Sequence, residues 1–205
     1  MAGVRIYSIY ISLSYVCMSE SLKFSNVVSK EFVVEKVLKS DVFGRIELGM
    51  LMDTSGSKVM AVKRSYSCNF FLHLPSKILG NNEKRALNKL QTYTKTESFP
   101  SVLDCGWNYH IRSYIPGQML YNASDKISSD YFLQAKSILR EMRKLGVANN
   151  DLAKEANWLV KSDGTPAIVD FQLAVSGNLL AVVTQKKDCF NYNGIKSSHD
   201  KHLFL

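Results

Sequence analysis

The chain has 205 residues, 46% apolar and 21% charged, with a formal net charge of +8. That composition suits a globular domain able to bury a core and excludes a disordered or low-complexity chain. Its four cysteines, Cys17, Cys68, Cys105 and Cys189, show no C-x-x-C spacing, which argues against a zinc site and predicts reduced thiols in a cytoplasmic protein.

Residues 1–23 read as an extension ahead of the domain. Val4 to Met18 is apolar with Arg5 near its start, but Ser8, Ser12 and Ser14 interrupt it, and it is shorter than the roughly 20 residues that span a bilayer. A loosely packed segment is the first reading and a membrane-surface anchor the second. Met18, ahead of Ser19-Glu20-Ser21, is a second candidate start.

From residue 24 onward the pattern predicts one α+β domain. Residues 31–73 read as short strands and turns, with a hairpin across Val37 to Gly49 that includes Gly44. Val59-Met60-Ala61-Val62-Lys63-Arg64 is a β-branched, alternating strand. About 75–97 reads as helix: Ala86, Leu87 and Leu90 fall at helical spacing, Asn81 or Asn82 can cap the start, and Glu83 stands in the first turn. Strands are expected over 99–115, and His110 to Leu120 runs into a break at Pro116-Gly117. A second helix is predicted over Ser129 to Leu145, where Phe132, Ala135, Ile138, Leu139, Met142 and Leu145 form an apolar stripe that Gly146 ends.

Asn149-Asn150-Asp151, Asn157 and Asp170-Phe171-Gln172 then follow as acid, amide and acid. The 13 positions from Asn157 to Asp170 (170 − 157) accommodate two short strands, Trp158 to Val160 and Ala167 to Val169, around the turn Ser162 to Pro166. Both oxygen donors then lie at one end of a hairpin. Carboxylate and amide oxygens suit a hard divalent cation, and a further carboxylate can orient and deprotonate a hydroxyl.

Gly146 to Val160, followed by Ile168-Val169-Asp170-Phe171, resembles the catalytic and metal-binding loops of the protein-kinase-like superfamily. The similarity is closest to its small microbial branches, the RIO-like and lipopolysaccharide (Kdo) kinase-like proteins. It covers roughly residues 32–172 and implies a two-lobed fold, with a β-rich N-lobe over about 24–112 and a shortened helical C-lobe over about 116–205. It further implies ATP and Mg²⁺ as cofactors and transfer of the γ-phosphoryl to a hydroxyl of a protein or saccharide acceptor, as in serine/threonine kinases. By position, Asp151 would be the catalytic base and Lys154 would meet the transferred phosphate. Asn157 and Asp170 would hold Mg²⁺, and Lys63, ion-paired to Glu83, would grip the α- and β-phosphates. Gly44 would belong to a nucleotide-covering loop, and Arg112, Ser113, Tyr114 and Ile115 to a hinge that meets adenine through main-chain atoms.

Several positions depart from the pattern. Asn149-Asn150 replaces the usual His-Arg, five residues rather than four separate Asp151 from Asn157, and Gln172 replaces the Gly after Asp-Phe. Lys39 and Asp41 occupy the first two glycine positions of the covering loop. A second reading therefore stands beside the first, a pseudokinase that binds nucleotide or serves as a scaffold. After Asp170 there follow 35 residues (205 − 170), too few for the peptide-positioning segment of a regulated eukaryotic-type kinase.

Lys136, Arg140, Arg143, Lys144 and Lys154 near the catalytic loop, and Lys186, Lys187, Lys196 and Lys201 beyond it, suit either a polyanionic acceptor, such as a phosphorylated saccharide or a membrane headgroup, or a solvated basic surface. No aromatic-interleaved nucleic-acid module is visible. His199 and His202 read as a solvated pair, not a metal site.

Overall fold

Period-two alternation shapes the first part of the chain. In the computed structural model, which describes residues 31–52, 56–93, 97–123, 127–177, 188 and 193–197, three strands follow one another: β1 (Glu31–Asp41), β2 (Gly44–Met52) and β3 (Lys58–Tyr66). The extension at 1–23 lies outside the described residues, as do Cys17, Cys189, Lys186, Lys187, Lys201, His199 and His202. With β4 (Val102–Cys105) and β5 (Tyr109–Ser113), these strands make an antiparallel sheet in the order β1-β2-β3-β5-β4. The expected hairpin turns at Val42-Phe43, where Asp41 pairs with Gly44. Gly44 has φ +136°, and a Cβ there would lie 2.1 Å from the Ser65 carbonyl oxygen, so only glycine lets β2 approach β3 this closely.

The first helix, α1 (Phe70–Tyr93), begins earlier than its sequence suggests. Asn69 caps it, its Oδ1 accepting the Phe71 N–H at 3.0 Å, and the helix continues through Pro75, Gly80, Asn81 and Asn82. Packing overrides these breakers. A Cβ at Gly80 would meet the Tyr66 ring at 2.2 Å, so the glycine is what allows the helix to lie against β3. Glu83 consequently sits in the interior of α1, not in its first turn, and is buried.

The second helix, α2 (Ser129–Lys144), matches its prediction: Phe132, Ala135, Ile138, Leu139 and Met142 are all buried. Asp130 in the first turn and Arg143 and Lys144 in the last complement the helix dipole, and Gly146, at φ +63°, donates to the Arg143 carbonyl as the chain leaves. Around it lie β6 (Gln118–Met119), β7 (Val147–Ala148), β8 (Trp158–Val160), β9 (Pro166–Ile168) and β10 (Val175–Ser176). They form a sheet in the order β6-β8-β9 and a separate β7-β10 pair.

The main core joins Leu87 and Leu90 of α1 to α2 and to Leu120, Leu152, Trp158, Ile168 and Phe171. Each such side chain contributes roughly 1.5–3 kcal/mol when fully buried. A smaller cluster, Ile115, Leu159 and Ala167, fixes the segment after β5 onto the β8–β9 hairpin. The chain is thus α+β, and among the described residues no helix is long and apolar enough to cross a membrane.

Candidate functional site

The loop from Asn149 to Lys154 leaves β7 and reaches β8 through a 3-10 turn at Glu155–Asn157. Its organiser is Asn149, which is fully buried. The Asn149 Nδ2 donates to the Asp170 carbonyl at 2.8 Å, and its Oδ1 accepts the Asp151 N–H at 3.0 Å, so one amide side chain ties the two acid-bearing loops together. From below, the buried carboxylate of Asp188 accepts the N–H groups of Asn149 and Asn150 at 2.9 and 3.0 Å. Asn150 (φ 67°) and Asp170 (φ 64°) both adopt left-handed backbone, which for residues other than glycine is sparsely populated and persists where surrounding bonds over-determine it.

Asn157 closes the loop. Its Nδ2 donates to the Asp151 carbonyl at 2.9 Å and to Asp151 Oδ2 at 3.1 Å, while its own carbonyl accepts the Val169 N–H at 2.9 Å. Asn157 and Asp170 are therefore at the same end of the β8–β9 hairpin, as their spacing predicted. With Nδ2 committed, Asn157 Oδ1 is the atom left for a cation. Lys154 Nζ lies 2.7 Å from Asp151 Oδ2, and this hydrogen bond raises the lysine pKa.

Burial pushes the Asp170 carboxyl above the ordinary carboxylate range, and the negative charge of Glu83 adds to this. The Gln172 N–H, Arg112 and Arg64 pull the other way. A divalent cation would relieve that charge. Among the described residues no group of three or more His, Cys, Asp or Glu gathers for a metal. Asn157 Oδ1 and the Asp170 carboxylate are two oxygens of the kind a hard cation such as Mg²⁺ takes, fewer than a dedicated protein cage supplies.

On the sheet side the structure corrects the sequence expectation. Strand alternation puts Val62 and Arg64, both buried, on the face toward α1, and Lys63 on the other. Lys63 Nζ rests over the rings of Tyr109 and Phe32, 5.1 and 5.7 Å from their centroids, and forms no ion pair with Glu83. Glu83 instead meets Arg112 Nε at 3.2 Å, His110 Nε2 at 3.3 Å and Arg64 Nη1 at 3.6 Å. In that contact His110 Nε2 makes no aligned hydrogen bond. Burial works to raise the Glu83 pKa, but Arg112, His110 and Arg64 outweigh it and bring it to about 2.

The remaining expected residues are placed as follows. Arg112 gives its side chain to Glu83, while the N–H groups of Ser113 and Tyr114 donate to the Ser101 and Met60 carbonyls. Main-chain contact with an adenine would then fall to their carbonyls and to Ile115. Ser113 to Pro116 line a cavity of about 490 Å³ with Phe99 and Lys161, and none of Asp151, Asn157 or Asp170 borders it. The turn beside Gly44 is bonded to the start of α1: the Phe43 carbonyl accepts from the Ser67 N–H at 3.2 Å and from the Ser76 hydroxyl. Gly44 thus serves strand packing.

Two contributors escaped the sequence reading. Arg64 was legible through alternation with Val62; Asp188 is an acid following Lys186-Lys187 and carries no local signal of its partners. No known protein family and no curated protein matches the sequence.

Proposed function

We propose that this chain is an ATP- and Mg²⁺-dependent phosphotransferase with a two-lobed, protein-kinase-like arrangement, acting on a hydroxyl of a protein or saccharide. The observation that carries the reading is the single hydrogen-bond network in which Asn149 and Asn157 hold Asp151 beside Asp170. Asp151 is the carboxylate that orients and deprotonates the acceptor hydroxyl, and Lys154 shifts from Asp151 to the transferred phosphate. Asn157 Oδ1 and Asp170 are the protein's contribution to a Mg²⁺ ion, which when bound would neutralise charge on the β- and γ-phosphates. Arg64, held by Glu83 and within electrostatic reach of Asp170, takes the place expected of Lys63 as the cation facing the phosphates.

A second reading has its own support. Glu83 is saturated by two guanidinium groups and a histidine, and Lys63 is turned onto aromatic rings, which suits a protein that binds nucleotide without turning it over. The two part in one experiment: incubation with ATP and Mg²⁺ and a panel of protein and saccharide acceptors, with phosphate located by mass spectrometry. The enzyme reading expects transfer that Asp151→Asn lowers by roughly 10²–10⁴-fold with ATP affinity nearly unchanged. Binding without transfer, or equal modest losses for Asp151→Asn and Asn149→Ala, supports the second reading.

A further inference from the structure

Two pieces of the sheet half bring apolar side chains to one place, away from the acid network. Phe70, Phe71, Leu74 and Ile78, on the first turns of α1, are 89%, 74%, 66% and 51% exposed. At about 100° per residue they fall within an arc of about 100°, opposite the buried Ser76, Gly80, Glu83 and Leu87. Trp107, in the turn between β4 and β5 and 76% exposed, joins them through Lys77, whose Nζ lies 3.0 Å from the indole centroid. Monomeric globular proteins rarely expose so many large apolar side chains together without a use for them.

The exposed charges of α1 beside this patch have one sign, and Asp104 on β4 accepts the Tyr109 hydroxyl at 3.0 Å. The one acid in α1, Glu83, is buried against its cations, while Lys77, Lys84, Arg85 and Lys89 are all at least partly exposed. The apolar side chains also protrude instead of lining a groove, a shape that a soft phase accommodates and that a protein partner would have to match with pockets. Phe and Trp backed by lysines is the combination that settles at a membrane interface, with rings at headgroup depth and cations drawn to anionic lipid.

We propose that the start of α1, with Trp107, docks this protein onto an anionic lipid surface. The inference does not depend on the phosphotransferase reading, since none of these residues enters the acid network. Full-length protein is mixed with vesicles of phosphatidylcholine alone or with phosphatidylglycerol added, and partition is measured by sedimentation. Tryptophan emission is followed in parallel; Trp158, the other tryptophan, is buried and serves as a constant background. Expected are binding to the anionic vesicles, a blue shift, and quenching by brominated lipid. Phe70→Ser with Phe71→Ser should weaken partition by about tenfold or more, and Lys77→Glu should weaken it selectively on anionic vesicles, both with unchanged circular dichroism. The proposal is overturned by absence of binding, by equal binding to neutral vesicles, or by full binding of the double serine variant. It is also overturned if Trp107 is shielded from acrylamide before lipid is added, meaning another part of the chain covers the patch, or if the double variant only abolishes self-association.

Discussion

Glu83 and Asp170 are carboxylates withdrawn from water within electrostatic reach of one another, and their pKa values move in opposite directions. Desolvation acts on both in the same sense, so the neighbours decide. Glu83 has Arg112, His110 and Arg64 within 3.6 Å, and ionises readily. Asp170 receives a backbone N–H from Gln172 at 3.3 Å, is bound through its carbonyl by a neutral amide, and feels the charge of Glu83. One carboxylate is completed by its own chain; the other has a charge that an outside cation would complete. A buried charge with its partners present is a fixed element, whereas one raised in pKa in a bonded loop marks a place for chemistry.

The comparison can be broken most forcefully at Asp170. Asp170→Asn should leave folding stability equal or slightly higher while lowering Mg²⁺-dependent transfer by about 10³-fold or more, the size that several kcal/mol of charge stabilisation implies. Denaturant unfolding of the variant beside a transfer assay checks both halves, and turnover at the parent rate would remove Asp170 from the cation site. Glu83→Gln should do the reverse to stability, costing about 3–5 kcal/mol because two guanidinium groups lose their buried counter-charge. A loss below about 1 kcal/mol would mean that solvent already screens the cluster.

Acid sharpens the contrast. The Glu83 pKa is about 2 in the folded protein against an ordinary 4.5, so its contribution is complete above 4.5 and is lost as pH falls toward about 2. That limb, about 3 kcal/mol in size, should vanish in Glu83→Gln. Asp170, with a raised folded pKa, contributes in the opposite sense: its protonation favours the native state as pH falls through that raised value. Stability curves of the two variants that tilt the same way would contradict the assignment. The smallest effect is expected at Lys63: Lys63→Met should cost less than about 1 kcal/mol, the range of a partly exposed cation–π contact, while Arg64→Met costs several times more. Comparable losses at the two positions would show that Lys63 shares in holding Glu83.

Much of this arrangement was legible because it is local. The α2 stripe, the stop at Gly146 and the hairpin from Asn157 to Asp170 depend on spacing and turn chemistry within a few residues of each other. The start of α1 was misread because Pro75, Gly80, Asn81 and Asn82 are breakers in isolation, and only the Tyr66 ring and the Phe43 carbonyl show why a helix passes through them. The Lys63–Glu83 pairing failed for a related reason. Alternation assigns Lys63 and Arg64 to opposite faces, but which face meets the helix is decided by strand register and by His110 and Arg112 arriving on β5. Asp188 was the least legible, since a side chain that bonds two main-chain N–H groups 38 and 39 positions earlier leaves no periodic trace.

That last contact bears on how the protein is made. A ribosome at about 5–20 residues per second delivers Asp188 seconds after the loop it supports, so a nascent chain holding Asn149, Asp151 and Asp170 still exposes the Asn149 and Asn150 N–H groups to other acceptors. The Asn149–Lys154 loop is consequently among the last parts to reach its final shape. Premature release before Asp188 leaves a chain with Asp151 and Asp170 present and the loop between β7 and β8 unbraced.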